Sequence, residues 1–205
     1  MIAKADLKRI MDNIRIRVPG VLDSMIQLEL FNSRDNFLTG SLLWKENIDF
    51  PATYGAKVGD HVIIEPEAGR IFQLIWVQNQ NDIIRRMVMP EEAVLEYVDI
   101  PSNQNEIWTA QVAITCDDPT TREGYPVVPG WIVNKYWLGI VDGALSRLYA
   151  QPAKPYTSDK LAIFHAHAFE SSKGRAKGDA AQQQLYRGQP WQFPQNFATR
   201  RRGQR

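Results

Sequence analysis

Few side chains in this sequence have the types and spacing that chemistry needs. His165 and His167 stand two residues apart in a stretch that reads as helix. That spacing turns them about 200° from one another around the helix axis, so they cannot share a metal ion. His165 lies within the apolar set Leu161, Phe164 and Ala168, which predicts a satisfied core or interface histidine. Cys116 is the single cysteine. It has no CxxC partner, as a structural zinc site would need. A catalytic thiol would need a histidine beside it, which no spacing here supplies. Glu91-Glu92 and Asp117-Asp118 are adjacent carboxylates beside Pro90 and Pro119. Acid–base pairs converge from distant parts of a fold, so turn and helix-start roles explain these better. Nucleotide-cradling glycine motifs, a GxSxG elbow and HExxH are all missing from the sequence. No residue of the sequence stands out as catalytic, cofactor-binding or metal-ligating, and the chain is expected not to be an enzyme and to carry no cofactor.

Binding chemistry is concentrated at the C-terminal end. From Ser171 onward there are eight lysines and arginines against the single Asp179, a net of +7 that leaves −6 for residues 1–170 of a chain whose total is +1. An acidic body with a basic tail predicts acidic partners for that tail, protein or nucleic acid. Beyond Arg187 the sequence GQPWQFPQNFATRRRGQR has no period and two prolines. Trp191, Phe193 and Phe197 are spaced as pocket-filling anchors, and Arg200, Arg201 and Arg202 can meet carboxylates or phosphates. This segment is expected to be an extended arm that orders on a partner. One cysteine cannot build a disulfide framework and fits a reducing compartment. The sequence contains no run of about 18 apolar residues, and its opening lacks the apolar core of a signal peptide, so no membrane role is expected.

The elements that must position these residues fall into four stretches: 1–50, 51–125, 126–186 and 187–205. In the first, a short helix over Ala5–Asn13 is broken by IRIRVPG. A second helix follows over Val21–Leu38, with Leu22, Ile26, Leu30, Ser33 and Phe37 on one stripe and Gly40 as its stop. The second stretch is rich in β-branched and aromatic residues. His61–Glu65, Arg70–Gln78, Ile83–Met89 and Ile107–Thr115 read as strands of a small antiparallel sheet with one wetter face. In the third, a helix runs from Pro129-Gly130 to Ala150 with Val133, Trp137, Ile140, Val141, Ala144, Leu145 and Leu148 on a broad apolar face. Gly139 and Gly143 predict a close approach beside it. A proline turn, Gln151–Tyr156, leads to a last helix ending near Gln182, weakened by Gly174 and Gly178. The fold class is α+β: N- and C-terminal helices forming a helical bundle, an inserted antiparallel sheet, and the arm.

The stretch Val141–Ala180 resembles the signature of the head-to-tail adaptor (connector, or head-completion) family of tailed bacteriophages. The similarity rests on Gly143, Ala144 and Leu145, then Pro152, Lys154, Pro155 and Tyr156, then Leu161, Ala162 and Phe169. IRIRVPG, the amphipathic helix after it and Leu43-Trp44-Lys45-Glu46 resemble the family's opening, so the likeness covers both helical ends. The long arm departs from the family pattern. The resemblance implies a structural virion protein made in the host cytoplasm. Twelve copies would form a ring on the portal protein after DNA packaging, and the ring would receive the tail or other neck proteins. DNA would pass through the lumen without specific binding. Trp137, Gly139, Gly143, Leu148 and Phe164 would pack subunits together, and the arm (Trp191, Phe193, Phe197, Arg200, Arg201 and Arg202) would run along the portal. A neck stopper or tail-completion protein, and a nucleic-acid-binding module using the basic tail, are the alternatives.

Overall fold

The computed structural model describes residues 4–101, 106–116 and 128–185. Among these described residues, four helices and seven strands give a mixed α+β fold, with all seven strands between the second and third helices in sequence.

Helix α1 spans Lys4–Arg17, longer than expected, because Ile10, Ile14 and Val18 recur at fours and are all buried. Pro19 restricts only the residue before it, so the helix runs through IRIR, and Val18 N–H still donates to Ile14 O at 2.8 Å. The reversal follows at Gly20, where φ is +84°. Arg15 then joins α1 to the first turn of α2 (Asp23–Ser41) through two hydrogen bonds to Asp23, at 2.9 and 2.6 Å. Ile26, Leu30, Ser33 and Phe37 form the expected buried stripe, but Leu22 is exposed at the N-cap. Gly40 lies inside α2, and the helix stops at Leu42, which takes the left-handed conformation with φ +53°.

The β region is not one small sheet. Strands β1 (Lys45–Pro51), β2 (His61–Ile63), β3 (Arg70–Asn79), β4 (Ile84–Arg85), β5 (Met87–Glu91), β6 (Val94–Tyr97) and β7 (Ile107–Thr115) form a four-stranded sheet, β1-β7-β3-β4, and a three-stranded sheet, β2-β6-β5. Every pairing is antiparallel. The segment expected as a single strand, Ile83–Met89, changes sheet at Arg86. That residue's backbone N–H and guanidinium both bond Asp99. Trp108 sits between the sheets, edge-on to Tyr97 and Phe50 at centroid distances of 5.5 and 6.4 Å. On β7 the wetter face exists only at the start. From Gln111 onward both faces are buried, because α2 lies against the strand's second half.

Helix α3 (Gly130–Tyr149) packs on α2 and, antiparallel, on α4 (Asp159–Leu185). Ser158 Oγ accepts from Leu161 N–H at 3.4 Å as α4 begins. Gly174 and Gly178 lie within α4 without ending it. The buried face of α4 is His165, Phe169, Ala176 and Ala180, not Leu161, Phe164 and Ala168; Leu161 and Phe164 are exposed.

Candidate functional site

The seam between α3 and α4 gathers most of the side chains that the sequence singled out. Gly143 lets α3 close on two elements at once: a Cβ there would lie 2.6 Å from the Phe169 ring and would also strike Ser33 Oγ. Ser33 Oγ, in turn, donates to Ile140 O at 2.6 Å and fastens α2 to α3. At Gly139 the neighbour is Ser172 of α4. The close approach expected at these glycines is therefore made by side chains of the same chain. Leu148 is fully buried. Of the five residues expected at subunit contacts, Trp137 is half-buried and Phe164 is 64% exposed.

One end of the seam is held by His165. Its Nδ1 lies 2.8 Å from Asp142 Oδ1, and its ring stacks on Tyr149 with centroids 5.6 Å apart. Phe164 meets it edge-on at 5.2 Å. Asp142 of α3 is thus turned inward, towards α4. His167 is exposed, facing away from His165 as the spacing required. At the other end, Lys135 Nζ bonds Asp179 Oδ2 at 2.6 Å, and Tyr136 OH donates to the same oxygen. The hydrogen bond from Lys135, followed by that from Tyr136, holds the Asp179 carboxyl below the usual carboxylate range. Asp179 reciprocally raises Lys135. At the next residue, Lys45 of β1 donates to Ala180 O at 3.3 Å, and burial lowers the pKa of this lysine.

A second polar cluster joins α2 to the four-stranded sheet. Asp35 Oδ1 accepts from Thr115 Oγ1 at 2.7 Å and from Arg70 Nη2 at 3.3 Å, while Arg70 Nε donates to Cys116 O at 3.2 Å. Burial pushes the Cys116 thiol up to about 11, only partly offset by the nearby Arg34 charge. A thiol held there stays protonated near neutrality and is a poor nucleophile. Arg34 is 7% exposed, and its Nε has no hydrogen-bond partner. Nothing in the spacing of the sequence marked Arg34, Asp35 or Arg70, which come together only through the α2–sheet contact.

Between α1 and α3, a cavity of about 160 Å³ is lined by Arg9, Ile10, Val133, Asn134 and Trp137, with the guanidinium of Arg9 over the Trp137 ring. Small-molecule sites occupy about 300–1,000 Å³, so this cavity is undersized for one. Among the described residues, no group of three histidine, cysteine or carboxylate side chains could hold a metal ion. Glu91 and Glu92 lie at the β5–β6 turn, both exposed. Asp117-Asp118 and the arm residues Trp191, Phe193, Phe197, Arg200, Arg201 and Arg202 lie outside the described residues.

No protein-family model matches the chain, and no curated protein matches it. None of the described helices is long and apolar enough to cross a membrane.

Proposed function

We propose that this chain is a structural protein of a tailed-phage neck: a head-to-tail adaptor that docks on the portal ring after DNA packaging and joins it to the tail. The observation that carries the reading is the α3–turn–α4 hairpin, where the residues of the resemblance do connected work. Gly143 makes the tight seam with Ser33 and Phe169. Pro152, Lys154, Pro155 and Tyr156 form the turn, which is tied by Tyr156 OH to Gln151 Oε1 at 2.9 Å and by Ser158 N–H to Tyr149 O at 3.0 Å. Chemistry at the seam is consistent with this role, since its one buried histidine is committed to Asp142 and Tyr149.

In this reading the helices form a bundle that serves as the platform of each subunit, and the β region is the insertion. Copies pack head to tail in a closed ring of twelve. The exposed Leu161, Ile163 and Phe164 of α4, with Trp137 of α3, offer apolar surface for neighbours. The arm supplies the portal contact through Trp191, Phe193 and Phe197 and its arginines, ordering as it binds. The acidic body is suited to a lumen that passes DNA without gripping it. The protein would be made in the host cytoplasm and end in the virion neck, with no cofactor and no catalytic role.

The test is the native mass of the purified chain, alone and mixed with its cognate portal ring. A stoichiometric ring on the portal is the expected result. Binding only to another neck ring would select the stopper or tail-completion alternative. Tight, steeply salt-dependent binding to DNA without portal binding would select the nucleic-acid module.

A further inference from the structure

Among the described residues, only one face of the three-stranded sheet β2-β6-β5 is covered. Leu95 and Tyr97 of β6 are fully buried, and their cross-strand partners Val62 and Met87 turn inward with them. Residues paired across strands share a face, and residues two apart along a strand share it too. His61, Ile63, Val88, Glu91, Val94 and Glu96 therefore form the outer face. Ile63 is 69% exposed and Val88 47%. Glu91, and Glu92 in the adjoining turn, are exposed and form no ion pair among the described residues. Glu96 faces only His61, at 3.6 Å.

Charge in this region is one-sided. Residues 51–101 carry eight acidic and four basic side chains, a net of −4. Three of those four bases are already committed, Arg70 to Asp35, Arg85 to Glu106 and Arg86 to Asp99. The face thus combines aliphatic surface with uncompensated carboxylates. The complementary chemistry exists in the same chain: residues 187–205 hold five arginines, no acidic residue, and Trp191, Phe193 and Phe197. Reach is not limiting. The twenty residues after Leu185 span up to about 70 Å when extended, whereas a chain of this length has a radius of gyration of about 17 Å. A tether that short presents the arm at about millimolar effective concentration, enough to populate a contact too weak to form between separate molecules.

We propose that in the free subunit segment 187–205 docks on the outer face of sheet β2-β6-β5 of its own chain. Its aromatic residues cover Ile63, Val88 and Val94, and its arginines face Glu91, Glu92 and Glu96. The docking stands independently of the adaptor reading. Its use, keeping the aromatic arm covered until a portal surface competes for it, rests on that reading.

The test uses the full chain carrying Ala198→Cys with a nitroxide on that thiol; Cys116 is buried and stays unlabelled. At low salt the His61 ring signals should lose most of their NMR intensity relative to the reduced, diamagnetic sample. Intensity should return at about 1 M salt, where the Debye length falls to about 3 Å, and in the Glu91→Lys/Glu92→Lys double variant. Undiminished His61 signals at low salt would overturn the docking, and broadening that survives the double variant would overturn its electrostatic basis. Equal broadening of an unlabelled copy mixed with the labelled one would overturn the within-chain form. Portal binding is measured separately on the same protein, so a failed adaptor reading and a failed docking give different results.

Discussion

Gly143 and Gly174 both occupy helix interiors, yet replacing each by alanine should move stability in opposite directions. A methyl group at Gly174 meets nothing within 4 Å, so the variant keeps only the helix-propensity gain of about 1 kcal/mol. At Gly143 the methyl enters the Phe169 ring and Ser33 within a filled core, and overpacking of that kind costs about 1–3 kcal/mol. Urea unfolding of both variants measures the contrast, and a stabilised Gly143→Ala would mean the seam is looser than its geometry. Cys116 yields a second check. Its thiol, raised to about 11 by burial, should resist labelling at pH 8 in the folded protein and react fully once the protein is unfolded. Sequence spacing separated His165 from His167 correctly but could not supply Asp142 as the partner, because the two residues come from different helices, 23 positions apart.

At the level of elements, the ends of the α3–α4 pair depend on the triad Lys135, Tyr136 and Asp179. Asp179 has a lowered folded pKa, so its contribution to stability is complete above the ordinary carboxylate range and is lost as pH falls through the folded value. Lys135 has a raised pKa, so its share is present at neutral pH and is lost only above the ordinary lysine range. The melting temperature of the wild type should therefore exceed that of Asp179→Asn at pH 7, and the gap should close as the solution is acidified through and below the ordinary carboxylate range. A gap that stays constant on acidification would show that the carboxylate's charge contributes nothing. The helices were legible in sequence because their apolar periods are long. Their limits moved where a local rule met tertiary packing: buried Ile14 and Val18 carry α1 past the expected break. Two strands were not legible. Lys45–Pro51, KENIDFP, is an edge strand with polar side chains and a terminal proline, and Val94–Tyr97 is four residues long with a glutamate in it. Both strands are defined by their cross-strand partners. The apolar set Leu161, Phe164 and Ala168 left core and interface both open for α4, since an apolar strip on a helix carries no mark of what will cover it; Leu161 and Phe164 are exposed and Ala168 is half-buried.

For the whole molecule, the decisive experiment is deletion of residues 187–205. The deleted chain should still fold and melt cooperatively, because the described core ends with α4, and it should lose portal binding; unchanged binding would sink the arm's assigned role. Composition alone revealed this arm, through its arginines and spaced aromatics. The acidic, aliphatic sheet face was invisible until the strands were paired, because Ile63, Val88 and Glu96 are scattered over 34 positions of sequence.

The clamp at Asp179 also decides how the subunit would carry load. α4 runs antiparallel to α3, and its C-terminal turns are tied by Lys135, Tyr136 and Lys45. Tension entering through the chain beyond Leu185 reaches those ties first and acts to peel α4 away from its end. The glycine seam and His165, further along, are loaded only after the ties yield. Mechanical failure should thus proceed as a zipper opening from the C-terminal end, at lower force than a pull that slides the two helices past one another.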